Sequence, residues 1–155
     1  MAFRLICTLL AFLFASCKLA QAADGDALAF VRGVYEREIA RSEARQPGSE
    51  AEFLAIFASP VRALVTAPTR GKTPAVIGRM QHAFFGAPML PGWPVTLVRV
   101  AAGAGAAITV DLAVQGEPRR IIVDPVREGG AWRIANIRYP DGEDLVGFHR
   151  RRTGR

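Results

Sequence analysis

The chain has 155 residues, of which 50% are hydrophobic and 22% charged, and carries a formal net charge of +6. Its length suits one domain and is too short for two. The charge is not spread along the chain: Arg150, Arg151, Arg152 and Arg155 cluster at the C-terminus, while basic and acidic residues between Ala23 and His149 balance, so the broad basic face that nucleic-acid binding uses is not expected.

Arg4, the apolar run from Leu5 to Ala15 broken by Thr8, and the small residues of Ala20-Gln21-Ala22 are the three parts of a secretory leader. The sequence therefore predicts a signal peptide over 1–22, a periplasmic or secreted location, and no transmembrane span in the mature chain. An alternative is lipidation at Cys17, because Phe14-Ala15-Ser16-Cys17 loosely resembles a lipobox. The two cysteines, Cys7 and Cys17, both fall in this leader, which leaves the mature domain no disulfide, thiol nucleophile or Cys-based metal site.

In the mature chain, Leu28, Val31, Val34, Tyr35 and Ile39 recur at helical spacing between Asp26 and Arg45, predicting an amphipathic helix ended by Gln46-Pro47-Gly48. Ser49 and Glu52 form a capping box for a second helix that buries Phe53, Ile56 and Phe57. Ser59-Pro60 restarts a helix with Ser as cap and Pro at its first position, and Val61, Leu64 and Val65 continue the apolar stripe. Residues 67–73 read as a loop, and Thr73-Pro74 opens one more helix through Val76, Ile77, Met80 and Phe84. Prolines and glycines from Gly86 to Pro94 then exclude regular structure.

From Val95 the hydrophobic period changes to two. Strands are predicted over 95–100, 106–114, 119–127 and 131–139, joined by short turns that require antiparallel neighbours. In the last strand Trp132 and Ile134 share a face that Ile137 and Tyr139 reach only through a bulge near Asn136. Residues 23–140 are thus expected to form one α+β domain, N-terminal helices covering one face of an antiparallel sheet of about four strands, with 141–155 as a basic, solvated tail.

Four residues stand out as candidates for ligand binding. Asp111 lies mid-strand opposite the apolar face: lining a cavity it would be a raised-pKa base, and facing water, as its neighbour Thr109 favours, an ordinary carboxylate. Tyr35 belongs to the stripe of the first helix, its ring in the core and its hydroxyl in need of a partner. Phe85 and Trp93 bracket the irregular segment, where Trp93 suits a cavity mouth or partner surface, whereas Trp132 suits the core. His82 and His149 lack convergent partners for a metal or a catalytic triad. No Gly-x-Ser-x-Gly turn or phosphate-cradling loop is present, and neither a metal nor a cofactor is expected.

The helix Phe30-Val31-x-x-Val34-Tyr35, the segment from Phe53 to Val65, Phe84-Phe85-Gly86 and the ending Gly130-Ala131-Trp132-Arg133-Ile134-Ala135-Asn136-Ile137 resemble the bacterial exported domain-of-unknown-function family 3828, within the cystatin-like α+β superfamily of nuclear transport factor 2 relatives. The resemblance implies a curved sheet wrapped around the N-terminal helix as a cone with a cavity, used by relatives for catalysis, for small ligands, or not at all. Where relatives carry acidic residues near the Phe, this chain has Gln81, His82 and Ala83. The expected function is a non-enzymatic module that binds a small apolar ligand or an envelope protein through the concave side of the sheet and the segment from Phe84 to Trp93. The alternative is an isomerase- or hydrolase-type enzyme with a cavity carboxylate.

Overall fold

The computed structural model describes residues 25–46, 48–67, 83–86 and 93–153, apart from the side chain of Arg152. The leader, Cys17 and most of the helix expected after Thr73 lie outside the described residues, as does His82.

Helix α1 runs over 25–44 and buries Val31, Val34 and Tyr35 of the predicted stripe together with Ala27, while Leu28 and Ile39 are only partly buried against the core. It ends in a Schellman turn: the Gln46 N–H donates to the Arg41 carbonyl at 3.0 Å and the Arg45 N–H to that of Ser42 at 3.2 Å. Arg45 takes the left-handed conformation (φ 54°) that this turn requires and that glycine adopts with less strain. Helix α2, Glu50–Ile56, starts from the expected capping box, with the Glu52 N–H donating to Ser49 Oγ and the Ser49 N–H to the Glu52 carboxylate.

Helix α3, Ser59–Val65, differs from expectation at its start. Its cap is Ala58, without a side-chain bond, and Ser59 stands inside the first turn. The missing cap is supplied from the sheet: Glu128 accepts from the Ser59 N–H at 2.8 Å, from the Ser59 hydroxyl, and from Arg62 at 3.0 Å. A carboxylate beside free N–H groups at a helix start satisfies donors that have no partner within the helix.

The sheet is a meander of β1, Val95–Ala102, β2, Ile108–Val114, β3, Glu117–Glu128, and β4, Ala131–Arg138, in the order β1-β2-β3-β4 and antiparallel throughout. Two-residue turns join β2 to β3 and β3 to β4. Gln115-Gly116 and Gly129-Gly130 have positive φ at both positions, matching the twist of the hairpins they close. The expected bulge is present, since Asp124 faces Asn136 while Pro125 faces Ile134, leaving Ala135 as the extra residue. It returns Ile137 to the face of Ile134, and both are fully buried. Pro125, which has no N–H to give a ladder, sits at this irregularity.

Together these elements form an α+β domain with helices leading into a four-stranded sheet that does not close on itself. The core lies between them. Phe84 is its hub, with its ring 6.0 Å from Tyr35, 5.9 Å from Phe53 and 5.9 Å from Phe57, the last stacked and the others edge to face. Phe57 and Ala58, extended between α2 and α3, run beside β4, where the Ala58 N–H donates to the Ile134 carbonyl at 2.9 Å. That contact covers part of the edge of β4.

The C-terminal segment corrects the expectation of a frayed tail. Leu145–Thr153 is helix α4, packed on α3 and β4 with Leu145 and His149 buried. Asp144 caps it, accepting from the Gly147 N–H at 2.8 Å, and Asn136 at the bulge accepts from the Val146 N–H at 3.2 Å.

Candidate functional site

Strand alternation divides the sheet into two faces of opposite character. On the inner face Val110, Leu112, Ile121, Val123, Ile134 and Ile137 are fully buried beneath helix side chains. The concave side expected to hold a ligand is therefore packed with the protein's own core at these positions.

Tyr35 and Phe85 belong to this interior and are fully buried, and Trp93 is half-buried against it at the approach to β1. The rest of the buried stripe of α1 is polar, for Glu38 follows Val34 by four residues and Ser42 follows Glu38 by four. Glu38 accepts a hydrogen bond from Arg41 at 2.7 Å, yet burial outweighs that contact and raises its carboxyl pKa. The Arg41 guanidinium also reaches Glu52 at 3.1 Å and so ties α1 to the start of α2. Burial also raises the phenol of Tyr35 well above its ordinary value, with Tyr139 adding to the effect. Tyr139 donates from its hydroxyl to the Ala83 carbonyl at 2.9 Å, while the hydroxyls of Tyr35 and Ser42 have no partner among the described residues.

Gly86, with φ 60°, lets the 83–86 segment approach β3 and Tyr139: a Cβ there would stand 2.9 Å from the Tyr139 ring. Arg119 donates to the Gly86 carbonyl at 3.2 Å. This arrangement fixes a wall of the core.

Asp111 lies on the outer face, which presents the exposed side chains of Arg99 and Arg120. Strand register places Arg99, Asp111 and Arg120 in one row across β1, β2 and β3. Arg99 Nε donates to Asp111 Oδ2 at 3.1 Å and Arg120 Nε to Oδ1 at 2.7 Å. The carboxylate is 18% exposed, between guanidiniums that are 60% and 65% exposed, so the anion lies beneath two cations that face solvent. The Arg120 hydrogen bond, followed by that of Arg99, holds the Asp111 carboxyl below its ordinary range. One row along, Arg138 pairs with Ile122 in the register and donates to Asp124 at 2.6 Å.

Of the four residues singled out in the sequence, Tyr35, Phe85 and Trp93 thus lie with the helices, and Asp111 on the opposite face of the sheet. They do not converge on one site. Asp111 is an ion-paired surface carboxylate, in keeping with the reading that its neighbour Thr109 favoured, and not a base in an apolar cavity. Sequence reading passed over Arg99 and Arg120 because the partners of Asp111 depend on strand register; the alternation about Asp111 offered the only hint. Glu38 and Ser42 stand in helical register with Val34, but apolar periodicity carries no signal for polar residues on the buried side of a helix.

Among the described residues no group of three His, Cys, Asp or Glu is placed to hold a metal ion, and no helix is long and apolar enough to cross a membrane. Comparisons of the chain with protein-family models, curated proteins and solved structures found no match.

Proposed function

We propose that this chain is an exported, non-enzymatic binding module, related to family 3828 and its cystatin-like superfamily, that engages an envelope protein across the outer face of its sheet. The observation that carries this reading is the asymmetry of the sheet. Its inner face is filled by the core, whereas the outer face presents Arg99, Arg120 and Arg138 to solvent on a scaffold of paired strands. A rigid sheet face with exposed arginines suits recognition of a surface, since arginine is favoured at interfaces. The state of Asp111 also favours binding over turnover. A carboxylate held ionised by two arginines is a poor proton acceptor, because its conjugate acid is too strong near neutral pH. The element order, helices first and an antiparallel meander after them, is the order that the resemblance implies.

The test is position-specific photo-crosslinking in the native envelope, with the full chain expressed in its own cell. A crosslinker at Thr109 or Ile122, both on the outer face, is expected to capture one protein that a crosslinker at the exposed Ala63 of α3 does not. Equal capture from all three positions, or none from the outer face, overturns the proposal. Intact mass of the same preparation is expected to show a mature protein beginning at Ala23.

A further inference from the structure

The outer face also carries information about the chemistry of its partner, an inference that rests on the outer face being the binding surface. We infer that it docks an extended acidic segment, with alternating Asp or Glu side chains received by Arg99, Arg120 and Arg138. Each of these arginines spends only part of its fork on the protein. Arg120 reaches Asp111 through Nε, Arg99 through Nε and one terminal nitrogen, and Arg138 reaches Asp124 through one terminal nitrogen. Guanidinium N–H groups remain on each, and a guanidinium binds carboxylate through two parallel hydrogen bonds. Asp111 and Asp124 lie deeper than the cations they hold, so they fix the arginines in place and cut the ordering cost of binding.

The spacing fits such a segment. Strands are about 4.8 Å apart, which sets the backbones of Arg99 and Arg120 roughly 10 Å from each other across β2. Arg138 and Arg120 are diagonal neighbours, about 7–8 Å apart. Same-side residues of an extended chain repeat about every 6.6 Å, within reach of these long, flexible side chains. The interleaved carboxylates also discriminate. Asp111 and Asp124 repel a uniformly anionic surface such as a lipid bilayer, whereas discrete acidic side chains can be seated on the arginines between them.

Fluorescence anisotropy with the full mature chain tests this directly, using a labelled peptide of alternating Glu and Ser as the probe. Saturable binding is expected, weakening as salt rises and falling about tenfold in the double variant Arg99→Gln, Arg120→Gln. Arg32→Gln, which removes a charge from the exposed side of α1, is expected to leave binding unchanged. Thermal unfolding establishes that each variant is folded, and Arg99→Lys with Arg120→Lys separates a need for the bidentate fork from a need for charge alone. Equal binding of a Gln-Ser peptide, insensitivity to the double variant, or preference for vesicles containing anionic lipid overturns the acidic-segment inference. Failure here with outer-face crosslinks intact leaves the surface assigned and its partner non-acidic. Loss of those crosslinks removes both.

Discussion

Tyr35 and Tyr139 both pack into the core, yet their hydroxyls differ. Tyr139 donates to the Ala83 carbonyl, and Tyr35 has no partner among the described residues. A buried hydroxyl left unpaired costs about 1–3 kcal/mol, whereas a satisfied one contributes about 1 kcal/mol. Tyr35→Phe is therefore expected to leave stability unchanged or raise it by about 1 kcal/mol, since ring packing against Phe84 is retained. Tyr139→Phe is expected to lower it by about 1–2 kcal/mol, because the Ala83 carbonyl loses its donor. Urea unfolding followed by tryptophan fluorescence measures both. A loss in Tyr35→Phe as large as in Tyr139→Phe would mean that the Tyr35 hydroxyl is bonded after all, to water held in the core.

At the scale of elements, α4 departs furthest from the sequence reading and offers a sharp measurement. A solvated tail would tolerate truncation of Leu145, whereas the docked helix buries that side chain against the core. Leu145→Ala is accordingly expected to cost about 2–3 kcal/mol in urea unfolding, the lower part of the range for emptying a buried leucine site. A cost near zero would restore the tail. The polar sequence of α4 concealed this helix: three consecutive arginines and Gly147 weaken an apolar stripe, and its anchors, Leu145 and His149, are only two residues four apart. Local signals succeeded elsewhere because they were physically local. The Ser49–Glu52 box, the glycine turns and the strand alternation depend on neighbours a few residues away, and the bulge followed from the demand that Ile134 and Ile137 share one face. What stayed illegible was non-local. The capping of α3 by Glu128 spans 69 residues, and the clasp on Asp111 depends on three strands aligning.

For the molecule as a whole, the same contacts set how stability depends on pH, and two opposing groups of carboxyls give the curve its shape. Among the described residues three carboxyls are lowered on folding: Glu52 by the Ser49 backbone and hydroxyl, Asp111 by Arg120 and then Arg99, and Glu128 by Ser59. Their ionised forms favour the folded state. That contribution is complete above the unfolded pKa of about 4 and is lost as pH falls through the lower folded values. Glu38 runs the other way, because burial raises its pKa: ionising it opposes folding above the folded pKa, and this cost disappears as pH falls toward the unfolded value. Going down from neutral pH, stability is expected first to rise as Glu38 protonates and then to fall once Asp111, Glu52 and Glu128 lose their charge. The positive charge that accumulates as carboxyls protonate deepens that fall. Urea midpoints measured from pH 7 to about pH 2.5 trace the curve. Glu38→Gln is expected to remove the initial rise and keep the acid loss, and Asp111→Asn to keep the rise and shallow the loss. A wild-type curve that descends steadily from neutral pH and is unchanged by Glu38→Gln would mean that Arg41 compensates the buried carboxylate in full, making the α1 stripe a closed ion pair and not a site of stored electrostatic cost.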